Sequence, residues 1–568
     1  TSDSEGGTVY HYTRDSEGRI LTKSAWGKTL YETSYGADGK PSGIVAQGVR
    51  TDYTYDAAGR LKKLVSDNGL SVQYRYDRNG MQTQMLYGNG LVTAYTYDSR
   101  SRLTGMRSGF PDRTPLFDAS YTYDASGNRT DRQETVHGNH GTHKTPVTTA
   151  YGYDSMNRLV SENCGDSRIS YKYDLSGNRI SRDTDGRTEN YLYNSRNQLT
   201  QLTGDDKNIS YTYDPAGNLT EEHSTEHKKI YSYDTYNRNT EINGNDFTQK
   251  NHYDAEGYRY SIEENDKVTN FVYRRGIMLA ELDEAGNQAK TYTLGNEYAG
   301  HVSELNNSLT SENKAASYYI TDEQGSIRYI LDQSGEVQNY YQYSAFGETI
   351  ISEETTPNRL RYNAQTEDEL TGLYYLRARY YAPGIGRFTQ EDVIYNDGLN
   401  LYAYCNSNPV MYSDPSGFAK ETCKSKVGGE CDSESGSKGG SATSRPTWRQ
   451  SELDAATDFP GYADQKSFIN GKEVSYGTKG SVRPDYYKEG FSVDIKNYNI
   501  ENASGRSNLA RNIEKQYYQR IENLPNGTKQ SVMIDIRGQS VSDEVLSELY
   551  DEIMRRTNNG VEILFKKD

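Results

Sequence analysis

Tyrosines separated by one residue recur along the first half of the chain, and an acidic residue and a polar stretch follow each pair. The unit reads Tyr-x-Tyr-Asp-x-x-Gly/Asn and then Asn, Arg or Leu, as in YTYDAAGRL, YTYDASGNR and YTYDPAGNL. Side chains alternate between the two faces of a strand, so both rings of Tyr-x-Tyr lie on one face. Asp accepts local backbone hydrogen bonds, and Gly or Asn tolerates a positive φ. Each unit therefore predicts a β-hairpin.

The unit recurs at a regular spacing. The second tyrosines are separated by steps of 21, 21, 26 and 30 residues and then by five steps of 20, at Tyr55, Tyr76, Tyr97, Tyr123, Tyr153, Tyr173, Tyr193, Tyr213, Tyr233 and Tyr253. One hairpin alone is marginally stable, whereas stacked hairpins bury a continuous face. The period lengthens at 107–120 and 131–148, which are predicted loops. The pattern predicts a mainly β shell over residues 1–317, and a different pattern over 318–418.

The pattern changes again after residue 418. Residues 419–446 are rich in Gly, Ser and Lys, a composition typical of a flexible linker. Residues 447–568 are predicted to form a compact α/β domain around a central sheet. The expected helices are 448–458, about 506–523 and 541–557, and the expected strands are 491–498, 531–536 and 561–565.

Composition supports an ordered, β-rich chain. It holds 53 Tyr against 11 Phe and is only 33% hydrophobic, but disordered chains are poor in aromatic residues. Residues 419–568 carry 22 Lys+Arg and 23 Asp+Glu, so nearly all of the net charge of −16 lies in residues 1–418. An acidic shell cannot bind nucleic acid by bulk electrostatics. No apolar run reaches the roughly 18 residues that a membrane span needs.

The repeat resembles the tyrosine-aspartate repeats of Rhs proteins, wall-associated toxins, toxin-complex C proteins and teneurins. Residues 318–418, from YYITDEQGSIRYILD through TGLYYLRARYYAPGIGRF to SDPSGF, resemble the end of the Rhs core. The resemblance implies a β-ribbon that coils into a hollow cocoon. It also implies delivery by a secretion system, action in the cytoplasm of a target cell, and a cognate immunity protein. A plain adhesive β-repeat protein with a binding tail is the alternative.

The same resemblance implies an aspartyl self-protease at the end of the shell. Asp392 and Asp414 would be the two carboxylates, with Arg387 beside them, and the cut would fall between Phe418 and Ala419. Two close carboxylates do not both ionise, so one can act as acid while the other activates water. Phe418 departs from the usual Leu of this family. A simple turn residue ahead of a proline is the alternative role for Asp414.

Candidate effector chemistry lies in GSVRPDYYKEGFSVDIKNY. Asp485 precedes Asp494 and Lys496 by a turn, so the two carboxylates can face one metal from adjacent strands, and Lys496 shares a strand face with Asp494. Oxygen ligands suit Mg²⁺ or Mn²⁺, which activates water and stabilises charge on a phosphate. A surface charge pair on an edge strand is the alternative.

These residues resemble the PD-(D/E)xK nuclease superfamily, which implies a restriction-endonuclease-like fold and a metal-dependent cut in nucleic acid, in DNA rather than RNA. By the same resemblance Glu452 would be a further acidic ligand and Gln516 the glutamine of the following helix, while Arg520 stands where a tyrosine is frequent. Basic residues suited to phosphate include Arg483, Arg506, Arg511 and Arg520. A solvated helix face is the alternative for Arg506 and Arg511.

Histidine narrows the choice of chemistry. All eight histidines lie at or before His301, so the predicted effector has none. Zinc-dependent deaminases, HNH nucleases and His-dependent ribonucleases need imidazole and are excluded. An ADP-ribosyltransferase is a further alternative, although its constellation of Arg, Ser-x-Ser and Glu is not evident.

Overall fold

The structure, a computed structural model, describes residues 8–136, 146–205, 207–304, 314–392, 400–418, 421–422, 451, 462–464, 466–475, 478, 480–501, 503–537, 539, 541 and 543–566. The chain divides into two units, Thr1–Glu430 and Cys431–Asp568. No helix in these ranges is long and apolar enough to cross a membrane. The first unit is mainly β and the second is a small α/β unit, as the sequence predicts.

The first unit is built on one antiparallel ribbon of 32 strands, each paired with the next along the chain. The strands are β1 His11–Arg14, β2 Ile20–Ala25, β3 Lys28–Tyr35, β4 Pro41–Ala46, β5 Val49–Tyr55, β6 Leu61–Ser66, β7 Ser71–Tyr76, β8 Gln82–Tyr87, β9 Val92–Tyr97, β10 Leu103–Gly109, β11 Phe117–Tyr123, β12 Arg129–Val136, β13 Val147–Tyr153, β14 Leu159–Cys164, β15 Ser167–Tyr173, β16 Arg179–Thr184, β17 Arg187–Tyr193, β18 Leu199–Thr203, β19 Asn208–Tyr213, β20 Leu219–His223, β21 Lys228–Tyr233, β22 Asn239–Asn243, β23 Thr248–Tyr253, β24 Arg259–Glu264, β25 Lys267–Arg274, β26 Ile277–Leu282, β27 Gln288–Leu294, β28 Tyr298–Glu304, β29 Lys314–Thr321, β30 Ile327–Leu331, β31 Val337–Tyr343 and β32 Thr349–Glu354.

Each tyrosine-aspartate unit is the predicted hairpin. Asp56 Oδ1 accepts hydrogen bonds from the backbone N–H of Ala58 and of Arg60, both at 2.9 Å, which closes the turn. Arg60 Nε donates to Asp56 Oδ2 at 2.7 Å, and the guanidinium lies 4.6 Å from the Tyr76 ring of the next unit. The aspartate thus shapes its own turn and positions an arginine over the neighbouring hairpin.

In most units the hydroxyl of the second tyrosine links neighbouring hairpins, whereas the buried hydroxyl of Tyr233 makes no hydrogen bond to a described residue. Tyr76 donates to the carbonyl of Leu61 at 2.7 Å, and Tyr173 donates to the carbonyl of Leu159 at 2.7 Å. These tyrosines also lie at a register shift, as between Thr54 and Tyr55, where the strand bulges. The same hydroxyl–carbonyl link is made by Tyr55, Tyr97, Tyr123, Tyr153, Tyr193 and Tyr253.

The ribbon coils, so that strands far apart in sequence lie side by side. Lys23 Nζ pairs with Asp254 Oδ2 at 2.8 Å, and the Tyr87 hydroxyl donates to the carbonyl of Tyr319 at 3.0 Å. Between these turns of the coil lie buried clusters of tyrosines and aliphatic side chains. The core is therefore made between successive turns of the ribbon.

The predicted loops at 107–120 and 131–148 are wrong in part. β10 extends to Gly109 and β11 begins at Phe117, while β12 continues to Val136. Cross-strand pairing from Phe117 with Val136 to Tyr123 with Arg129 lengthens this hairpin. The extra residues therefore go partly into longer strands, because each additional pair adds ladder hydrogen bonds.

A closing segment, residues 357–418, follows the ribbon. It contains a four-stranded antiparallel sheet of β33 Thr366–Asp368, β34 Leu373–Leu376, β35 Arg379–Ala382 and β36 Arg387–Phe388. Short 3-10 helices span Tyr362–Ala364 and Cys405–Ser407. β37, Tyr412–Ser413, pairs with β38, Glu421–Thr422.

Among its described residues, the second unit has a five-stranded sheet and two helices that are described over their full length. Its strands are β39 Ala463–Asp464, β42 Tyr486–Lys488, β43 Phe491–Lys496, β44 Lys529–Asp535 and β45 Val561–Lys566, while β40 Ser467–Ile469 and β41 Lys472–Val474 form a hairpin. Helix α1, Ala503–Asn523, connects β43 to β44, and helix α2, Asp543–Arg556, connects β44 to β45. Both connected strand pairs are parallel, as such crossovers require. The expected helix 448–458 lies outside the described residues except for Ser451.

Candidate self-cleavage and metal sites

The closing segment lies across the row of aspartate turns at one edge of the ribbon. Gln390 Nε2 donates to the carbonyl of Asn237 at 2.9 Å, Asn400 Nδ2 donates to Asn178 Oδ1 at 2.7 Å, and the Tyr402 hydroxyl donates to the carbonyl of Gly217 at 2.8 Å. Several hairpins of the ribbon thus hold the segment. Asp392 and Asp414 are both buried in it.

Arg379, on β35, brings the two aspartates together. Its NH2 nitrogen lies 2.8 Å from Asp392 Oδ2 and 3.7 Å from Asp414 Oδ2. All three side chains are nearly excluded from solvent, so the ion pairs are weakly screened. Arg387, the arginine expected beside the aspartates, donates instead to the carbonyl of Asn197 and lies over the rings of Tyr193 and Tyr402.

Backbone groups next to the expected cut are held by the same side chains. Arg379 Nε donates to the carbonyl of Gly417, and the N–H of Gly417 donates to Asp414 Oδ1 at 2.8 Å. The N–H of Phe418 donates to the hydroxyl of Ser416 at 3.3 Å. Ala419, on the other side of the expected cut, lies outside the described residues.

Sequence reasoning missed Arg379 although its signal was present. Arg379 is the first residue of the RYYAPGIGRF stretch, whereas Arg387 is closer in sequence to Asp392. The fold reverses that order of proximity: β35 and β36 are antiparallel, and Arg379 reaches both carboxylates.

In the second unit, adjacent strands bring the predicted carboxylates together. β42 and β43 pair so that Tyr486 lies opposite Val493, which places Asp485 opposite Asp494. Asp485 Oδ2 accepts a hydrogen bond from the N–H of Ile495 at 2.7 Å. Lys496 Nζ lies 3.8 Å from Asp494 Oδ2. Asp494 is 1% exposed, so it is a buried charge that requires compensation.

Arg520 supplies most of that compensation. Its NH2 donates to Asp494 Oδ1 at 2.7 Å and to the carbonyl of Arg483 at 3.3 Å, and its NH1 is in ion-pair contact with Asp494 Oδ2. Burial lowers the pKa of Arg520 to about 10, and the negative charge of Asp485 offsets part of that shift. The guanidinium is therefore an internal counter-ion of the acidic pair.

Gln516, one helical turn before Arg520 on α1, faces the same way as Arg520. Its Oε1 is buried and accepts no hydrogen bond. An unpaired buried acceptor on the helix face that carries Arg520 fits a site that takes a cation. No group of three or more His, Cys, Asp or Glu capable of holding a metal is found among the described residues. Glu452, the expected third acidic ligand, lies outside them.

Ser451, which directly precedes Glu452, is bonded to residues near the candidate metal site. Its hydroxyl accepts a hydrogen bond from Asn497 Nδ2 at 2.8 Å, and Asn497 directly follows Lys496. Ser451 also bonds to Asp535 at the end of β44. The backbone before Glu452 is therefore fixed at the carboxyl ends of two parallel strands.

The other predicted basic residues serve different contacts. Arg506 NH1 donates to the carbonyls of Ile500 and Glu501, ahead of α1. Arg511 is exposed, and its NH2 donates to Asn508 Oδ1 at 2.6 Å. The structure therefore places Arg511 and Arg520 in opposite environments, one in solvent and one in the core.

Comparison with known proteins identifies the family of the first unit. The teneurin YD-shell family matches residues 110–410, and the RHS repeat family matches residues 55–92. This chain belongs to the teneurin YD-shell family. A structure of TcdB2-TccC3-TEV has the same shell fold, with a TM-score of 0.59 and 20% identity over 72% of this chain and 24% of that chain.

Relatives of this YD-shell protein include named toxins. The tRNA3(Ser)-specific nuclease WapA of Bacillus spizizenii is 38% identical over 175 residues, which are 29% of this chain and 7% of that protein. The double-stranded DNA deaminase toxin A of Burkholderia cenocepacia is 37% identical over 108 residues, 18% of this chain and 8% of that protein. The chain thus spans less than a tenth of the length of these relatives, and the WapA likeness falls in the shell region.

Proposed function

We propose that this YD-shell protein is a bacterial toxin. Its shell would encapsulate a metal-dependent nuclease and release it by self-cleavage for action in a target cell. The family of the shell and its likeness to WapA and other toxins support the toxin class. The nuclease proposal rests on one observation: Asp485 and Asp494 lie opposite each other on adjacent strands, with Lys496 beside Asp494.

For self-cleavage, the contacts suggest a role for each side chain. Asp392 has the closer ion pair with Arg379, so it stays charged and acts as the base that takes a proton from water. Asp414 is farther from the guanidinium and bonds the backbone next to the cut, so it acts as the acid. Arg379 holds the Gly417 carbonyl and keeps the turn in place. The cut falls between Phe418 and Ala419.

A denaturing gel of the purified full chain tests self-cleavage. Asp392→Asn and Asp414→Asn are expected to leave one full-length band, while wild type gives a fragment of residues 419–568. Asp368→Asn is not a suitable control, because Asp368 is in a buried ion pair, whereas Asp112→Asn changes an exposed residue. An intact wild-type band would contradict the proposal.

For the nuclease, a divalent cation such as Mg²⁺ or Mn²⁺ would be held by Asp485 and Asp494, with Gln516 near and Glu452 as a further ligand. When bound, the cation activates water and stabilises charge on the phosphate. Lys496 adds positive charge beside the attacked phosphate. Asp485 and Asp494 lie on paired strands, which fixes the positions of the two carboxylates relative to each other. Arg483 and Arg511 attract the phosphates of the nucleic acid.

The substrate is tested by incubating the full chain with plasmid DNA and with a tRNA pool, in Mg²⁺ and in EDTA. We expect cutting that requires metal and that Asp494→Asn or Lys496→Met abolishes. Lys472→Met, on an exposed strand, is the matched control. DNA is expected to be cut. Cutting of tRNA alone would favour the substrate class named for WapA, and no cutting of either would favour an adhesin with a binding tail.

The acidic shell suggests one more feature of the toxin. Nearly all of the net charge of −16 lies in residues 1–418, so the shell repels nucleic acid. We expect the cleavage-blocked Asp414→Asn protein to cut nucleic acid more slowly than wild type. A cognate immunity protein would protect the producing cell.

A further inference from the structure

Arg520 occupies the carboxylate that the proposed metal would use. Its two terminal nitrogens contact both oxygens of Asp494, and the guanidinium is itself buried, at 7% exposure. The ammonium of Lys496 lies farther away, with Nζ 3.8 Å from Asp494 Oδ2, beyond hydrogen-bond distance. The buried charge of Asp494 is thus balanced chiefly by Arg520.

A divalent cation competes with the guanidinium for the Asp494 carboxylate. Mg²⁺ binds oxygen at close to 2 Å, so a guanidinium with both nitrogens on the same carboxylate would be held within a few ångströms of the cation, where the like charges repel. Resting on the nuclease site proposed above, we propose that Arg520 is a built-in competitor that closes the metal-free site. The metal must displace Arg520 from Asp494, and the freed guanidinium then binds the phosphate of the nucleic acid.

Two features allow that exchange. Arg520 lies in the last turn of α1, which ends at Asn523, so its side chain can swing without moving the rest of the helix. Gln516, one turn earlier, has a buried Oε1 with no hydrogen-bond donor. That oxygen is an acceptor that the metal-free arrangement leaves unused, and it can face the cation or the water bound to it once Arg520 has moved.

A purely structural role for Arg520 makes a different prediction. A structural ion pair is required equally with and without metal, so its loss would weaken folding under both conditions. A competitor is required only without metal. Loss of the competitor destabilises the metal-free protein, because Asp494 is left as a lone buried charge, but it strengthens metal binding.

The experiment measures Mn²⁺ binding to the full chain by isothermal titration calorimetry, and thermal unfolding of the second unit with and without Mn²⁺. Arg520→Gln is expected to bind Mn²⁺ at least about tenfold more tightly than wild type. Without metal, Arg520→Gln is expected to unfold at a lower temperature than wild type. Mn²⁺ is expected to raise its unfolding temperature more than it raises that of wild type. Arg556→Gln, which removes half-buried ion pairs with Glu514 and Glu552, should keep the wild-type affinity.

Arg520→Lys covers the case in which Arg520→Gln does not fold without metal. Lysine keeps the charge but offers one nitrogen in place of two, so its Mn²⁺ affinity should lie between those of wild type and Arg520→Gln. Equal or weaker Mn²⁺ binding by both variants would overturn the competitor role while leaving the metal site intact. Absence of Mn²⁺ binding in every variant, including wild type, would instead remove the metal site itself and the competitor with it.

Discussion

Gly417 lies in the turn just before the expected cut, at a position where the backbone leaves no room for a side chain. Its φ is +73°, and a Cβ there would lie 2.4 Å from the carbonyl oxygen of Leu376 and 2.9 Å from the N–H nitrogen of Arg379. Both neighbours are backbone atoms that cannot move aside cheaply. Glycine is therefore required both for the turn and for the close approach of residue 417 to the end of β34 and the start of β35.

We expect Gly417→Ala to slow self-cleavage at least about tenfold, a change of about 1.4 kcal/mol in the barrier. The added methyl displaces the turn that holds the Phe418 peptide, so the carboxylates no longer face it. The fraction cut over time, read from a denaturing gel, measures the effect. Gly372→Ala is the control, because Gly372 also has a positive φ, of +69°, but nothing lies within 4 Å of its Cβ position. Equal slowing by both variants would show that conformational strain alone is responsible.

A second prediction at this scale compares how Arg379 and Arg387 affect the rate of self-cleavage. Arg379→Gln removes the group that contacts Asp392 and Asp414, so we expect cleavage to stop. Arg387→Gln removes a contact with Asn197 and two rings, so we expect cleavage to be slowed less than tenfold. The same gel assay compares them. A greater loss from Arg387→Gln would restore Arg387 as the arginine of the site.

At the scale of the hairpin, the tyrosine hydroxyl explains why tyrosine outnumbers phenylalanine. The Tyr173 ring packs in the ribbon while its hydroxyl donates to the carbonyl of Leu159 at 2.7 Å. That carbonyl stands beside the bulge of the preceding hairpin, where a regular ladder partner is missing. Phenylalanine would fill the same space and leave the carbonyl unsatisfied.

We therefore expect Tyr173→Phe to destabilise the ribbon by about 1 kcal/mol, the usual net value of one hydrogen bond. Hydrogen exchange of the β14 and β15 amides, compared with wild type, measures the local loss. Tyr236→Phe is the matched control, because Tyr236 is an exposed turn residue. Protection that is unchanged in Tyr173→Phe would mean that water replaces the missing donor at this site.

Local patterns predicted the hairpins well because their chemistry is local. Asp56 and Arg60 close a turn within five residues, so period and turn chemistry suffice to predict it. The helices expected at about 506–523 and 541–557 agree with α1 and α2 to within a few residues. The hydroxyl–carbonyl links were not predicted, since they join residues 14 to 24 positions apart across a bulge.

The candidate sites were predictable only in part for the same reason. Asp485 and Asp494 are joined by a short turn, so their pairing follows from the strand period. Arg520 reaches Asp494 from a helix 26 residues later, and no periodic pattern in the sequence indicates that contact. The roles assigned to all these residues remain predictions.

At the scale of the whole first unit, a few buried ionisable groups join the turns of the coil. Lys23 on β2 pairs with Asp254, and Arg259 on β24 pairs with Asp368 of the closing segment. Each of these contacts spans more than 100 residues of chain. The ribbon is regular along its length, so the side chains that join its turns set how it coils.

Glu162 is a contact of this kind that also responds to pH. Both of its carboxyl oxygens accept a hydrogen bond from the N–H of Ala345, 183 residues away, at 3.0 and 3.2 Å. Burial raises the pKa of Glu162 to about 7, partly offset by the Ala345 hydrogen bond and by Arg182, while Glu348 raises it further. The folded unit therefore favours the protonated carboxyl.

The sign of the effect on stability follows from that shift. Because the folded pKa lies above the unfolded value, the contribution of Glu162 is fully present below about pH 4.5 and is lost as the pH rises through about 7. The loss is on the order of 3 kcal/mol across this window.

Glu162→Gln carries a neutral amide at every pH, so we expect it to match wild type near pH 4.5 and to be more stable at pH 8. Urea unfolding of the first unit at both pH values measures the difference, with Glu226→Gln, at an exposed position, as control. The prediction is contradicted if the difference in free energy of unfolding between wild type and Glu162→Gln is the same at both pH values. In that case Glu162 stays ionised in the folded shell, and the Ala345 N–H and Arg182 stabilise its charge.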